Sequence, residues 1–154
     1  MFELRPMTPA EYDARIPVLK REYAADEVRA GRSTPETAQE RTDQLFARLL
    51  PDGLATAGQL LFSGVADGVV IGFIWLALPT PERPQAWVFD IEVDPEHRRN
   101  GYGRALMLAA EDQLRSRGVE RLGLNVFGHN PNARNLYESL GFEVTSLQMS
   151  KELG

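Results

Sequence analysis

Two apolar runs, "LFSGVA" (Leu61–Ala66) and "VVIGFIWLAL" (Val69–Leu78), are separated only by Asp67-Gly68. A two-residue link of this kind gives an antiparallel hairpin. Asp-Gly between two apolar runs is a strong signal for such a turn. The second run, at ten residues, is too short to span a bilayer as a helix and is expected as a buried strand. A sheet with a buried central hairpin must be covered, so every other amphipathic segment is a candidate to pack on it.

Upstream, "FELRP" is a short candidate strand. "TPAEYDARIPVLKREYAADEVRAG" opens as a helix, with Thr8 as N-cap, Pro9 at the first position and Glu11 three residues after the cap. Pro17 is expected to kink or split it, and Gly31 to end it. A second helix starts after Thr34 at Pro35 and stops at "PDG". Downstream, "WVFDIEVD" alternates, with Trp87, Phe89, Ile91 and Val93 on one side and Asp90 and Glu92 on the other. A glycine-bearing loop then leads into a helix to about Arg117, closed by Gly118. "RLGLNVF" is the next strand, with Leu122, Leu124 and Val126 on one face. "NARNLYESLG" is a short helix with Ala133, Leu136, Tyr137 and Leu140 on one side, and "FEVTSLQMSKEL" is expected as one strand or two. The order predicts an α/β (α+β) fold, a mixed central sheet with helices packed on it.

The length, 154 residues, fits one domain. Residues 1–58 form its helical part and 59–154 its sheet. The net charge of −5 argues against a general nucleic-acid or anionic-membrane binder. The absence of cysteine removes disulfides, thiolate metal ligands and a thiol nucleophile. Two isolated histidines, His97 and His129, make no convincing metal site, so no metal is expected. The start has no basic segment followed by an apolar one, and a cytoplasmic protein is the expectation.

"RRNGYGRAL" (Arg98–Leu106) follows a strand and opens a helix. A helix N-terminus offers unpaired N–H groups and partial positive charge, and glycine lets an anion approach the backbone. Gly101 and Gly103 suit that role, and Arg98, Arg99 and Arg104 add charge. The P-loop ending is missing, and the dinucleotide fingerprint fails at Leu106, where it needs a third glycine. A tight strand-to-helix turn without a ligand is the other reading of the same residues.

The spacing Arg98-Arg99-Asn100-Gly101-Tyr102-Gly103 after "IEVDP" resembles the GNAT superfamily of acetyl-CoA-dependent N-acetyltransferases, whose signature is Arg/Gln-x-x-Gly-x-Gly/Ala. A second signature of that family, Asn-x-x-Ala-x-x-Leu-Tyr-x-x-x-Gly-Phe, is matched by Asn130, Ala133, Leu136, Tyr137, Gly141 and Phe142. The resemblance covers about Trp87 to Leu153, and the first half agrees only in element order. It implies a sheet splayed between the strand ending at Val93 and the next one, with helices on both faces.

The resemblance further implies acetyl-CoA as acyl donor. Its pyrophosphate would lie on the backbone amides from Arg99 to Arg104, including Asn100 and Tyr102. Its pantetheine arm would run along Ile91 and Val93, and Asn130, with Ala133 in the same motif, would contact it from the far side. The acceptor would be an amine, on a small molecule or a protein N-terminus, bound on the side of residues 1–58. A homodimer would also suit the family, though no residue argues for it.

Acyl transfer to an amine requires loss of a proton from the ammonium, support of an oxyanion and protonation of the leaving sulfur. The family resemblance assigns the last task to Tyr137, whose other reading is a core aromatic. The backbone N–H of Val93 or a neighbour would hold the oxyanion. Glu92 is the candidate base. Asp90 is a weaker one that also suits binding of a cationic substrate, and pairing with arginines or solvent is the alternative for both. Some members of the family carry a glutamate on the following strand. Asn125 stands there in this chain, cannot act as a base, and is left as a substrate contact. Trp75 and Trp87 read as core or pocket wall, and Tyr12 and Tyr23 as packing residues or acceptor-site lining. An enzyme using a ternary complex is the leading reading. A non-catalytic acyl-CoA sensor or partner-binding module is the alternative.

Overall fold

A computed structural model describes residues 1–126 and 130–154. The described residues form a five-stranded mixed sheet and four α-helices. In chain order these are β1 (Phe2–Pro6), α1 (Pro9–Arg29), α2 (Pro35–Leu49), β2 (Gln59–Ala66), β3 (Val69–Ala77), β4 (Ala86–Val93), α3 (Tyr102–Arg115), β5 (Leu122–Leu124) and α4 (Pro131–Ser139). The chain divides into two compact units. One comprises Met1–Arg15 and Leu49–Asn125, and the other Ile16–Arg48 and Val126–Gly154.

The first unit holds the whole sheet, in the order β1-β2-β3-β4-β5. Neighbours are antiparallel up to β4, and β5 runs parallel to it. The expected hairpin forms between β2 and β3 and turns on Asp67 and Gly68 with φ of 50° and 83°, a left-handed pair that suits a two-residue turn. One face of the sheet is covered by α3, whose Leu106, Met107, Ala110 and Leu114 form its buried stripe. Leu106 packs with Ala66 and Ile71, against Phe2, Leu4, Ile91, Val93 and Tyr102. The first two turns of α1 reach the opposite face. There Glu11 accepts a hydrogen bond from the fully buried Ser63 hydroxyl (2.9 Å), and the Arg15 guanidinium lies over the Phe73 ring.

Thr8 and Glu11 cap α1 reciprocally. The Glu11 N–H donates to Thr8 Oγ1 (3.2 Å) and the Thr8 N–H to Glu11 Oε1 (2.8 Å). Of the kink or split expected at Pro17, the split does not occur, and α1 runs unbroken through it. Both Pro17 and Asp13, whose carbonyl loses its intrahelical donor, are exposed, so water can take the place of the missing N–H.

The alternation expected in β4 is interrupted. Trp75 pairs with Asp90 but Leu76 pairs with Val88, so Phe89 is an extra, bulged residue. Ala86 and Val88 are therefore buried on the side of Ile91, while Phe89 turns to the other face with its ring 4.8 Å from that of Trp75. Pairing between β4 and β5 stops at the same point. Its register covers only Ala86↔Leu122, Trp87↔Gly123 and Val88↔Leu124. Of the longer strand expected over residues 121–127, Leu122–Leu124 forms, and Phe127 lies outside the described residues.

In the second unit, Tyr23 meets Phe46 edge to face at 6.1 Å, and Leu19, Ala24, Ala38 and Phe46 are buried. Asn130 caps α4, its Oδ1 accepting the Ala133 N–H at 3.3 Å. The strand or strands expected in "FEVTSLQMSKEL" are not formed. Alternating side chains give only one of a strand's two requirements. The segment has no ladder partner among the described residues, and Leu147, Met149 and Leu153 stay exposed.

Candidate active site

The loop from Arg98 to Gly101 connects β4 to α3 and is shaped by two left-handed residues, Arg99 (φ 67°) and Gly101 (φ 77°). Gly101 is the N-cap of α3 and supplies no side-chain acceptor, so the first-turn amides of Tyr102, Gly103 and Arg104 lack the side-chain cap that most helices provide. A Cβ at Gly101 would meet nothing within 4 Å, so its φ, not packing, calls for glycine there. Asn100 braces the loop by donating from Nδ2 to the carbonyls of His97 (3.0 Å) and Arg98 (3.2 Å). Tyr102 turns its ring inward and stacks on Phe2 at 6.2 Å, so only its backbone faces the loop.

Arg98 is directed at β4. Its Nε donates to the Val93 carbonyl (3.0 Å), and its Nη2 lies 3.7 Å from Glu92 Oε1. Glu92 is thus half-buried beside a guanidinium instead of standing in open solvent. Asp90 has a different task. Its Oδ1 accepts the Ile91 N–H at 2.8 Å, which satisfies a backbone donor at the bulge.

The end of β4 has one edge paired with β3 and another on which, among the described residues, no strand pairs with it. Asp94 donates its N–H to the Ile71 carbonyl on β3 (2.8 Å). Backbone groups alternate along a strand, so the N–H and C=O of Val93 and Ile91 point to the other side, where β5 no longer pairs. Val93 therefore offers an N–H donor along the unpaired edge, a short way from the uncapped start of α3. Gly72 permits the close strand approach beneath it. A Cβ at that residue would lie 2.1 Å from the Glu92 carbonyl oxygen.

Asn125 is exposed and follows β5. Asn130 is engaged as the cap of α4, with Ala133 as its donor. Tyr137 is half-buried on α4, its ring 5.8 Å from Phe142 in an edge-to-face contact. His97 makes local backbone bonds in the turn before the loop, and His129 lies outside the described residues. Trp75 is buried, with Nε1 donating to Gln59 (2.7 Å), and Tyr12 packs against Gly53. No group of three or more His, Asp or Glu side chains capable of holding a metal occurs among the described residues.

The sequence reading missed one constellation. Arg15 forms a two-point ion pair with Asp94, Nη1 to Oδ1 at 2.9 Å and Nη2 to Oδ2 at 3.1 Å, while its guanidinium carbon lies 4.8 Å from the Phe73 ring centre. The partners are 79 residues apart, and no local pattern announces such a pair.

Among proteins of similar sequence, the uncharacterized N-acetyltransferase YycN of Bacillus subtilis (strain 168) is 37% identical over 97% of both chains. The crystal structure of YycN matches this fold with a TM-score of 0.92 and 36% identity, covering 99% of each chain. The mycothiol acetyltransferase of Kytococcus sedentarius is 34% identical over 150 residues, which is 96% of this chain and 47% of that protein. Residues 22–142 match the Acetyltransferase (GNAT) family, a span that holds both the glycine loop and the Asn130–Phe142 motif. The chain belongs to the GNAT family of acetyltransferases.

Proposed function

We propose that the protein transfers the acetyl group of acetyl-CoA to a primary amine, on a small molecule or a protein N-terminus, by direct attack in a ternary complex. One observation carries the reading: the open edge of β4 at Val93 lies next to the uncapped, glycine-opened start of α3. A diphosphate suits the amides of Arg99 to Arg104, because an anion there accepts first-turn N–H bonds that no N-cap side chain accepts. The pantetheine arm would then run along Ile91 and Val93 as an added strand. The thioester oxygen would meet the Val93 N–H, a donor that strengthens as charge develops on it.

The neutral amine attacks the thioester carbon, forming the C–N bond. The tetrahedral intermediate collapses with cleavage of C–S. Glu92, or water that it orients, takes the proton from the amine, and Arg98 keeps that carboxylate turned to the strand end. Tyr137 donates to the departing sulfur. A phenol near 10 and a thiol near 8.5 make full transfer uphill by only about 2 kcal/mol, so its hydroxyl acts largely as a hydrogen-bond donor to the thiolate. Asp90 and Asn125 line the acceptor side, and Asn130 with Ala133 contacts the cofactor. The absence of cysteine agrees with attack without a covalent thiol intermediate.

Release of free thiol from acetyl-CoA, measured across a panel of small amines, polyamines and peptides with free N-termini, tests the reading. We expect amine-dependent release that Glu92→Gln lowers without changing coenzyme A affinity. Tight coenzyme A binding with no turnover on any amine would favour the sensor instead.

A further inference from the structure

We propose that Arg15 is a positioning residue for acyl transfer: its guanidinium, laid on Phe73 and forked onto Asp94, fixes the strand end that presents the Val93 N–H. The inference rests on the reading above and adds to it a residue of α1 that lies in neither family motif.

Asp94 is the residue at which β4 leaves the sheet. Its N–H is tied to the Ile71 carbonyl at 2.8 Å, and its own carbonyl accepts the His97 N–H at 2.9 Å, which starts the turn towards the glycine loop. Its carboxylate is the remaining handle, and Arg15 takes both oxygens. The two side chains are 19% and 21% exposed, so the pair is largely withdrawn from water and is held more firmly than a surface pair. Contact with the Phe73 ring restricts the guanidinium on its other side. A planar fork held against a ring sets orientation as well as distance, which a lysine ammonium does not do.

The neighbouring peptide units show why this orientation matters. The Glu92 carbonyl is pressed against Gly72, and the Val93 carbonyl is taken by Arg98 Nε. Fixing Asp94 removes the remaining freedom of the two peptides that flank Val93, and with it the direction of the Val93 N–H. Phe73 is also the cross-strand partner of Glu92, so the clamp lies over the strand pair that carries the candidate base. A donor displaced by about 1 Å loses most of its value to a developing oxyanion, and misplacements of that size cost about 10²-fold in rate.

The test uses acetyl-CoA labelled with ¹³C at the thioester carbonyl, bound to the native protein and to Arg15→Lys, Arg15→Met and Asp94→Asn. Carbonyl polarisation moves the label downfield, a signature that a role in stability alone would not change. Coenzyme A affinity is measured in parallel by calorimetry. For a rate without knowledge of the acceptor, hydroxylamine serves as a small neutral nucleophile, forming acetohydroxamate and free coenzyme A. We expect the native protein to shift the label downfield. Arg15→Lys, which keeps the charge and the stem, should lose most of that displacement and about tenfold or more in rate, with coenzyme A affinity within about threefold of native. Asp94→Asn should do the same. A folded Arg15→Lys with native displacement and rate overturns the proposal even if Arg15→Met fails to fold. Failure of the native protein to bind coenzyme A overturns the acetyl-CoA reading itself and the clamp's role with it, and is seen without any variant.

Discussion

Replacing Glu11 with glutamine is expected to destabilise the protein at neutral pH and to do so less and less as the pH falls. The Glu11 carboxylate receives both Arg5 guanidinium nitrogens (2.8 and 2.9 Å), the Thr8 N–H and the Ser63 hydroxyl. The Arg5 hydrogen bonds are the largest cause, and together with the others they hold its pKa at about 2, against an ordinary 4.5. A group whose folded pKa is depressed contributes stability that is present in full above its unfolded value, and that is lost as pH falls from about 4.5 through about 2. Taken at face value the difference corresponds to about 3 kcal/mol. The Arg5 side chain is 37% exposed and that of Glu11 21%, so solvent screening reduces the expected contribution to about 1–2 kcal/mol. Glutamine can still accept from Ser63 and Thr8, but its amide cannot attract Arg5. Urea titrations of both proteins should show a gap of that size at pH 7, narrowing below pH 4.5 and closing only as the pH falls through about 2. A lowering of the melting temperature by about 2–8 °C should accompany it at pH 7. A gap that stays constant from pH 7 to 3 would refute the assignment of the effect to ionised Glu11, and no gap at pH 7 would refute the pair's role in stability.

Gly72→Ala should cost at least the upper end of the roughly 1–3 kcal/mol typical of overpacking, because the new Cβ meets backbone at 2.1 Å and 3.0 Å; the urea midpoint measures it. Gly103→Val should remove coenzyme A binding from a folded protein by blocking close approach of a phosphate to the first turn of α3, and calorimetry with unchanged affinity would take that loop out of the site. Tyr137→Phe should slow single-turnover transfer at saturating acetyl-CoA by about 10²-fold, the low end for general acids, while keeping its ring against Phe142; a native rate in a folded variant would leave Tyr137 as a packing residue.

What could be read in advance depended on how local the cause was. The Asp67-Gly68 hairpin, the Thr8–Glu11 capping box and the helix after the glycine loop are each decided by a few adjacent residues, and each forms as expected. The glycine loop was legible for the same reason, since a left-handed Gly101 opening a helix is a property of its own segment. Asp90 and Glu92 were picked out, but their partners were not. The Ile91 N–H that Asp90 satisfies exists as an open donor only because β4 bulges, and Arg98 reaches Glu92 only because the loop folds back. Arg15 could not be found at all, because it meets Asp94 only when the two sides of a sheet are assembled. "FEVTSLQMSKEL" shows the converse. Its pattern suits a strand, but pairing is decided by whether an edge is available to it.

Several departures from simple pattern in the first unit bear on the end of β4, and the bulge at Phe89 is one of them. A regular β4 would have alternated from Trp87 to Val93 and could have paired with β5 along its length. Inserting Phe89 shifts the face of every later residue, so Ile91 and Val93 still reach the α3 core although Val88 and Ala86 do too. Pairing with β5 runs no further than Val88, and among the described residues the backbone groups of Ile91 and Val93 have no strand partner on that side. Such an edge is costly where water is limited, and the chain offsets part of the cost locally: Asp90 accepts the Ile91 N–H and Arg98 donates to the Val93 carbonyl. The Val93 N–H lies on that same edge. Sequences tend to break local rules where function requires it, and here the broken alternation, the close contact at Gly72 and the Arg15–Asp94 fork all bear on that one peptide group. Restoring regular alternation by deleting Phe89 would let β5 pair further along β4. It should therefore raise the stability of the strand pair in hydrogen exchange while abolishing acyl transfer; transfer surviving such a deletion would separate the bulge from the chemistry.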